Sequence, residues 1–574
     1  MYQQDYSPLG SLALSALVAA IPLGGLFVLL GVVKMKAWMA SLIGLVSALI
    51  VAIFAYDMPA GTGLASASQG AAFGLFPAMW IVANAIWIYQ LTVVSGHFDV
   101  LRRSFGRVSP DHRVQAVIIA FCFGALLEAL AGFGAPVAVT AVMLIALGFR
   151  PLKAAAVGLL ANTAPVAFGA MALPIITLAT VTGLPERELA SIVGRQAPIL
   201  ALFVPLVLVY VVDKGRGVRE AWPVAAVAGV FFAIGQFLMS NYGPVALADI
   251  VASLMSAGAV VVLLRFWQPP AHRGPGEAML GDDEDDVPIL ATVGHATAGS
   301  AGHGPGERTT ASSGAGGASA VDDAHVVDSR RDVWLAYFPY ILIVAVFSVA
   351  NIPAVKTALG KTTKLIHWPG VHVQNPSGKE LTSSIYKFDW LANIGTLLFL
   401  IGIVTFLVLK ISPAEAVRTY GRMLNQLKTA IVTVMAVLAL AYVMNSSGQT
   451  VTLGLFLAQV GSIFALVSPL VGWIGVAVTG SDTSSNALFG LLQVQAAHGA
   501  GLDPTLTAAA NTSGGVLGKM ISPQNLAVGA AAVAMAGREG ELFRKVIGWA
   551  IGLLVALCLL VYLQSTPVLS WMLP

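Results

Sequence analysis

Apolar runs long enough to cross a bilayer follow one another along almost the whole chain, and this pattern leaves few folds open. They lie near 12–33, 37–56, 71–95, 114–131, 135–149, 154–182, 197–212, 221–240 and 245–264. They resume near 333–350, 390–409, 428–445, 450–467, 470–498, 504–536 and 546–564. About 20 apolar residues span a hydrocarbon core as a helix. The runs are continuous and do not alternate, which argues against a transmembrane β-barrel. Charged residues make up 10% of the 574, far below the roughly 25% of soluble domains. A soluble enzyme and a disordered chain are therefore excluded. A net charge of +3 is no electrostatic footprint for nucleic acid. The expected fold class is an all-α polytopic membrane protein of about 12–14 transmembrane helices. They form two repeat-related halves, with broken or re-entrant helices where runs are short or rich in Gly and Pro.

The first run lacks a cleavable leader's basic start and small-residue site, so it reads as a retained span. Cys122 and Cys558 sit inside apolar runs and read as packing residues, with no disulfide framework or zinc spacing. Basic clusters fall at Lys34/Lys36, Arg102/Arg103/Arg107/Arg113, Arg150/Lys153, Lys214/Arg216/Arg219, Arg330/Arg331, Lys410/Arg418/Arg422 and Arg538/Arg544/Lys545. Threading the runs in order places them all on one side, the cytoplasm by the positive-inside rule, with both termini outside. The loop 353–388 carries five lysines yet threads outside; it is long enough for the rule to weaken. Residues 268–332 are acidic, then low in complexity, and cannot offset their ordering entropy by apolar burial. They are expected to be a flexible cytoplasmic linker between membrane halves 1–267 and 333–574. His272, His295, His303 and His325 read as solvated linker residues rather than a metal site.

An internal match marks the candidate site. Ala161-Asn162-Thr163 is followed in fixed register by Gly169, Met171 and Pro174. Ala510-Asn511-Thr512 is followed in the same register by Gly518, Met520 and Pro523. About 30 residues upstream of each copy lies a breakable polar element, Glu128 to Pro136 and Thr479 to Asn486. Interrupted helices in a membrane leave backbone groups that need protein partners or a wet cavity. Corresponding interruptions in two halves point to a transporter's midplane site. Packing through small residues would explain the glycines but not the Asn-Thr pairs or the acids.

Intramembrane charges sharpen this. Glu128 is the only charge between Arg113 and Arg150, Asp482 between Lys428 and Asp503, and Lys519 between Asp503 and Arg538. A charge in a span is functional by default. Glu128 is the leading proton carrier and Asp482 its competitor, while Lys519 suits an anionic substrate. The alternative is a structural ion pair, such as Asp482 with Lys519. Arg195 either attracts an anion near the outer end of a span or snorkels. No nucleotide-binding loop and no His-Glu-x-x-His motif is present, which leaves an ATP-driven pump unsupported. A membrane-embedded enzyme would need a nucleophile–base or metal constellation. The histidines outside the linker (His97, His112, His367, His372, His498) fall at loops or span ends.

These residues carry a resemblance. The blocks Gln4-Asp5-Tyr6-Ser7-Pro8, Ala131 to Ala138, Asn162 to Met171, Val193-Gly194-Arg195-Gln196, Thr479 to Phe489 and Gly518 to Gln524 closely resemble the bacterial L-lactate permease family, over nearly the whole chain. The linker at 268–332 is longer than that family leads one to expect. The resemblance implies proton-coupled uptake of L-lactate, D-lactate, glycolate and related 2-hydroxymonocarboxylates across the inner membrane. No catalytic residue, metal or cofactor is expected, and the partners are the small anion, protons and the lipid bilayer. The expected substrate residues are Asn162, Thr163, Arg195, Ser481, Ser484, Ser485, Asn511, Thr512, Lys519 and Gln524. The expected coupling residues are Glu128 and Asp482. Another small anion, sodium coupling, or a channel are the rival readings.

Overall fold

A computed structural model describes residues 1–106, 108–131, 134–270, 328–381 and 384–574. Most of the expected linker, with its four histidines, therefore lies outside the described residues, as do Gly132 and Phe133 of the first breakable element.

Among the described residues, ten helices are long and apolar enough to cross a membrane. One of them, Glu186–Asn241, has 56 residues, about 84 Å if straight and nearly three times a hydrocarbon core. It is not straight. Asp213 and Lys214 leave helical geometry, Lys214 at a φ of 49°. The two arms then fold against each other. Ser191 Oγ donates to Asn241 Oδ1 at 2.6 Å, and a Cβ on Gly229 would lie 2.6 Å from the Leu202 carbonyl. Glycine lets the arms approach this closely. A second interruption separates Pro151–Ala161 from Val166–Thr182, which meet at 61°. With the second arm, this bent pair and the short apolar helix Ile394–Val408 counted as crossings, the number falls within the expected range. Large apolar side chains such as Leu17, Phe54, Phe203, Val262 and Leu559 are exposed on these helices, as a bilayer-embedded surface requires.

Local chemistry sets the helix ends that matter. Gly480, in left-handed geometry, ends Phe464–Thr479, and Ser481 caps Asp482–Ala500 by accepting from Ser484 N. Asp503 caps Pro504–Gly518 and Ser522 caps Pro523–Ala532, each with proline in the first turn. A single 3-10 turn, Lys519–Ile521, joins these last two helices.

The contacts outside the spans sort onto two faces. Strand Tyr2–Gln3 pairs in parallel with Val373–Gln374, and Lys364–His367 pairs antiparallel with Ile385–Phe388. These are the only strands among the described residues. The N-terminus therefore shares a face with the loop 353–388. Arg195 donates to Asn241 Oδ1 and to the Met572 carbonyl, which ties the C-terminus to the ends of the folded-back helix. Glu186, at one of those ends, feels the charges of Lys356 and Lys387, so both termini lie on one face. On the other, Arg113 bonds Asp111, Asp213 and Glu220, which joins the Asp213–Lys214 turn to the start of the earlier span His112–Leu130.

Candidate functional site

The site is built where the helix interruption of one half meets that of the other. In the first half, Asn162 ends helix Pro151–Ala161. The chain then runs irregularly through Thr163, Ala164 and Pro165, and Ala170, Met171 and Ala172 take left-handed geometry before the helix resumes. Such backbone is strained for residues bearing a Cβ, and it persists only inside a supporting structure. In the second half, Asn511 and Thr512 lie in mid-helix. There the interruption comes later, at Lys519–Ile521.

The matched motifs thus differ in local form. Their downstream parts, Gly169 to Pro174 and Gly518 to Pro523, both stand at a break leading into a helix. Their Asn-Thr parts do not correspond, because one ends a helix and the other lies within one. Contacts run crosswise between the copies. Asn162 and Thr163 of the first line a gap with Lys519, Met520 and Asn525 of the second, together with Val137 and Leu159. Asn486, which bonds both Asn511 and Thr512, donates to the Pro174 carbonyl of the first copy at 3.0 Å. The side chains of Asn162 and Asn511 are buried, but no bond joins the two.

Lys519 is the centre of charge. It forms an ion pair with Glu128, with exposures of 6% and 3%. This is a correction to the expected alternative, in which Lys519 pairs with Asp482. The 3-10 turn presents Lys519 to the helix Gly124–Ala131 of the other half. Asp482 instead packs against Gly515, one turn earlier, where a Cβ would collide with its Oδ1. Lys519 is still the cation that acts on Asp482, whose two carboxyl oxygens have no hydrogen-bond partner. Glu128 fits because Gly169 has no side chain: a Cβ there would lie 2.9 Å from Oε1. Its Oε2 is unpartnered, as is Asn162 Oδ1. Thr163 Oγ1 donates to the Leu160 carbonyl at 2.7 Å. Asn525 Nδ2 donates to the Lys519 carbonyl at 3.1 Å and so holds the turn. The gap beside Lys519 has no room for a water molecule, so this is a closed arrangement.

The remaining expected residues divide. Asn511 and Thr512 belong to a polar lattice with Asn486, Gln493 and Ser468, which satisfies buried amides and knits three helices together. Ser485 donates to the Gly472 carbonyl at 3.3 Å, and Ser481 and Ser484 form the cap beside Asp482. Gln524 is exposed and lies near Gly480, not in the gap. Arg195 is held between Asn241 and Met572, also apart from the gap.

Sequence reasoning missed Asp249, Gln236, Gln493 and Asn525, and named Asn486 only as the end of the second breakable element. For Asp249 a signal was present: it is the only charge between Glu220 and Arg265, the same rule that selects Glu128. It is fully buried, and Glu128 and Lys519 are the charges that act on it. One buried lysine therefore stands among three buried carboxyls.

The chain matches the family model described as L-lactate permease over residues 15–568. It is 40% identical to the L-lactate permease of Bacillus subtilis (strain 168), over all of both chains. It is 38% identical to the L-lactate permease of Escherichia coli (strain K12), again over all of both. The glycolate permease of Escherichia coli (strain K12) is 39% identical over 95% of each chain. A solved transporter, YdaH of Alcanivorax borkumensis, aligns with 85% of this chain and 98% of its own at 14% identity and a TM-score of 0.30; so distant a likeness carries no weight.

Proposed function

The chain belongs to the L-lactate permease family, a multi-pass transporter and not an enzyme, and from that premise we propose that it imports L-lactate by proton symport. Glycolate and D-lactate are the further substrates of this reading, and the membrane is the bacterial inner membrane. The basic face carrying Arg113 and Lys214 then lies in the cytoplasm and the face with both termini in the periplasm.

The observation that carries the coupling is the Glu128–Lys519 pair beside Asn162 and Thr163. A monocarboxylate needs a cation when it leaves water, and Lys519 is the cation at this gap. Glu128 already holds it. A proton on Glu128 removes the acid's claim on Lys519, and the ammonium then accepts the substrate carboxylate. Each ligand thereby strengthens the other's binding, which is the linkage that a symporter requires. Net charge at the site is conserved: one proton and one monoanion enter, and the same pair leaves when Glu128 recaptures Lys519 on the inner side. Asn162 Oδ1, an unpartnered acceptor at the gap, suits the 2-hydroxyl of the substrate. Asp482, buried with both oxygens unpartnered, is the second coupling candidate.

Uptake of labelled lactate into proteoliposomes, under separately imposed proton and sodium gradients, tests this reading. Accumulation should follow the proton gradient and vanish with a protonophore. Glu128→Gln keeps the side chain's shape but cannot cycle a proton, and it should abolish gradient-driven accumulation. If well-folded Glu128→Gln protein accumulates lactate normally, coupling lies elsewhere, and Asp482→Asn is the next variant to measure. Accumulation driven by sodium alone would overturn the proton reading.

A further inference from the structure

Asp249 bonds Gln236 rather than Glu128 or Lys519, yet its setting is too specific for packing. It lies in the first turn of helix Ala248–Phe266, four residues after the start of the short 3-10 turn Val245–Leu247. That places it about 6–8 Å below the loop 242–244, on the face that holds both termini. The next element in space is Gln236, also fully buried. Gln236 Nε2 donates to Asp249 Oδ1 at 3.0 Å and to the carbonyl of Ala164 at 3.3 Å. Ala164 directly follows Asn162-Thr163 in the first helix interruption, so one amide bridges Asp249 to the gap.

The bond inventory of this pair is incomplete in an informative way. Asp249 Oδ2 and Gln236 Oε1 both lack a partner. They are acceptors on two planar groups already joined through their other atoms. A hydrogen on Asp249 Oδ2 turns one of the two unpartnered acceptors into a donor, so the inventory suits the protonated acid. The carboxylate also has support, from the Gln236 amide and from the N-terminus of its own helix. The charged groups that act on Asp249 from the packed elements are Glu128 and Lys519.

We propose that Asp249, held by Gln236, is the proton-entry carboxyl of this transporter, standing between the periplasmic face and Glu128. This rests on the exchange reading above and adds a second proton site to it. As the substrate anion reaches Lys519, Asp249 gives its proton to the Glu128 carboxylate, and Glu128 releases Lys519. Asp249, now a carboxylate, regains a proton from periplasmic water. One proton enters for each proton delivered, and no other group changes charge. Glu128 later loses that proton to the cytoplasm with the departing substrate.

The test compares Asp249→Asn, Asp249→Glu and Glu128→Gln in proteoliposomes, by initial rates of lactate uptake across external pH. Asp249→Asn should lower the maximal rate on the order of a hundredfold, the lower range for loss of a positioned proton donor. Half-saturating lactate should change less than about threefold. Its dependence on external pH should flatten, and Asp249→Glu should restore both rate and pH profile. A wild-type rate and profile in monodisperse Asp249→Asn protein would overturn the proposal. So would a loss of rate and affinity together that glutamate does not rescue, since packing alone predicts that. If Asp249→Asn does not fold, Gln236→Leu keeps the carboxyl and removes the bridge; an unchanged pH profile there overturns the proposal equally. Normal accumulation by Glu128→Gln sinks the parent reading, whereas failure of Glu128→Gln beside normal Asp249→Asn sinks only this one.

Discussion

Replacing Lys519 by methionine isolates the energy that the central pair holds, because methionine keeps most of the apolar stem and removes the ammonium. Glu128 is 3% exposed, and Lys519 is its only ion-pair partner among the described residues. Removing one member of a buried pair costs about 3–5 kcal/mol, because the other is left uncompensated. Glu128 can escape that cost by taking a proton on folding. Protonating an ordinary glutamate at pH 7 costs about 3.7 kcal/mol, so the two routes give similar figures. The second route has a signature. The folded variant binds a proton that its unfolded chain does not, so its stability falls as pH rises, by about 1.4 kcal/mol per unit. Lys519→Met should therefore be destabilised by about 3–4 kcal/mol relative to wild type at pH 7 and by only about 1 kcal/mol at pH 5. Adding Glu128→Gln should recover most of the loss at pH 7, since removing both charges leaves none unpaired. Unfolding titrations in mixed micelles at several pH values measure wild type, Lys519→Met, Glu128→Gln and the double variant. A deficit in Lys519→Met that is independent of pH, or that Glu128→Gln does not relieve, would refute the view that the pair is the main partner of each charge.

Three further outcomes follow from particular contacts. Gly515→Ala would place a methyl on Asp482 Oδ1 and 2.7 Å from Val476 Cγ2; lactate uptake should fall sharply, although alanine is the better helix former by about 1 kcal/mol. Gln4→Leu removes the donor to the carbonyls of Asn445 and Ser446 at the end of helix Pro413–Ser447. Two buried acceptors lose a partner at about 1–3 kcal/mol each, which a lowered melting temperature in detergent should report. Asp111 is pushed up by burial, but the hydrogen bonds and charge of Arg113 outweigh this and hold its carboxyl below the ordinary value. Its contribution to stability is present above the unfolded carboxyl's value, near pH 4, and is lost as pH falls through the folded one; Asp111→Asn should flatten the acid limb of stability against pH.

Much of the fold was open to reading because a bilayer makes demands that are local in sequence. A span has to be long, apolar and helical, so the apolar runs announce themselves, and the break at Asp213–Lys214 falls between the runs 197–212 and 221–240. Buried charges are equally visible one at a time, since water is too far away to solvate them; Glu128, Asp482 and Lys519 stand out for that reason, and Asp249 obeys the same rule. Pairing between them could not be read. Lys519 and Glu128 are 391 residues apart, and choosing Glu128 over Asp482 depends on which way one 3-10 turn faces and on the missing side chain of Gly169. The matched Asn-Thr motifs show the same limit. Sequence register implies equivalent positions, yet Asn162 ends a helix and faces Lys519, while Asn511 sits in mid-helix within an amide lattice. Hydropathy and spacing decide which segments enter the membrane; the packing of the two halves decides which buried group meets which, because a desolvated charge takes whichever partner the surrounding helices bring within reach.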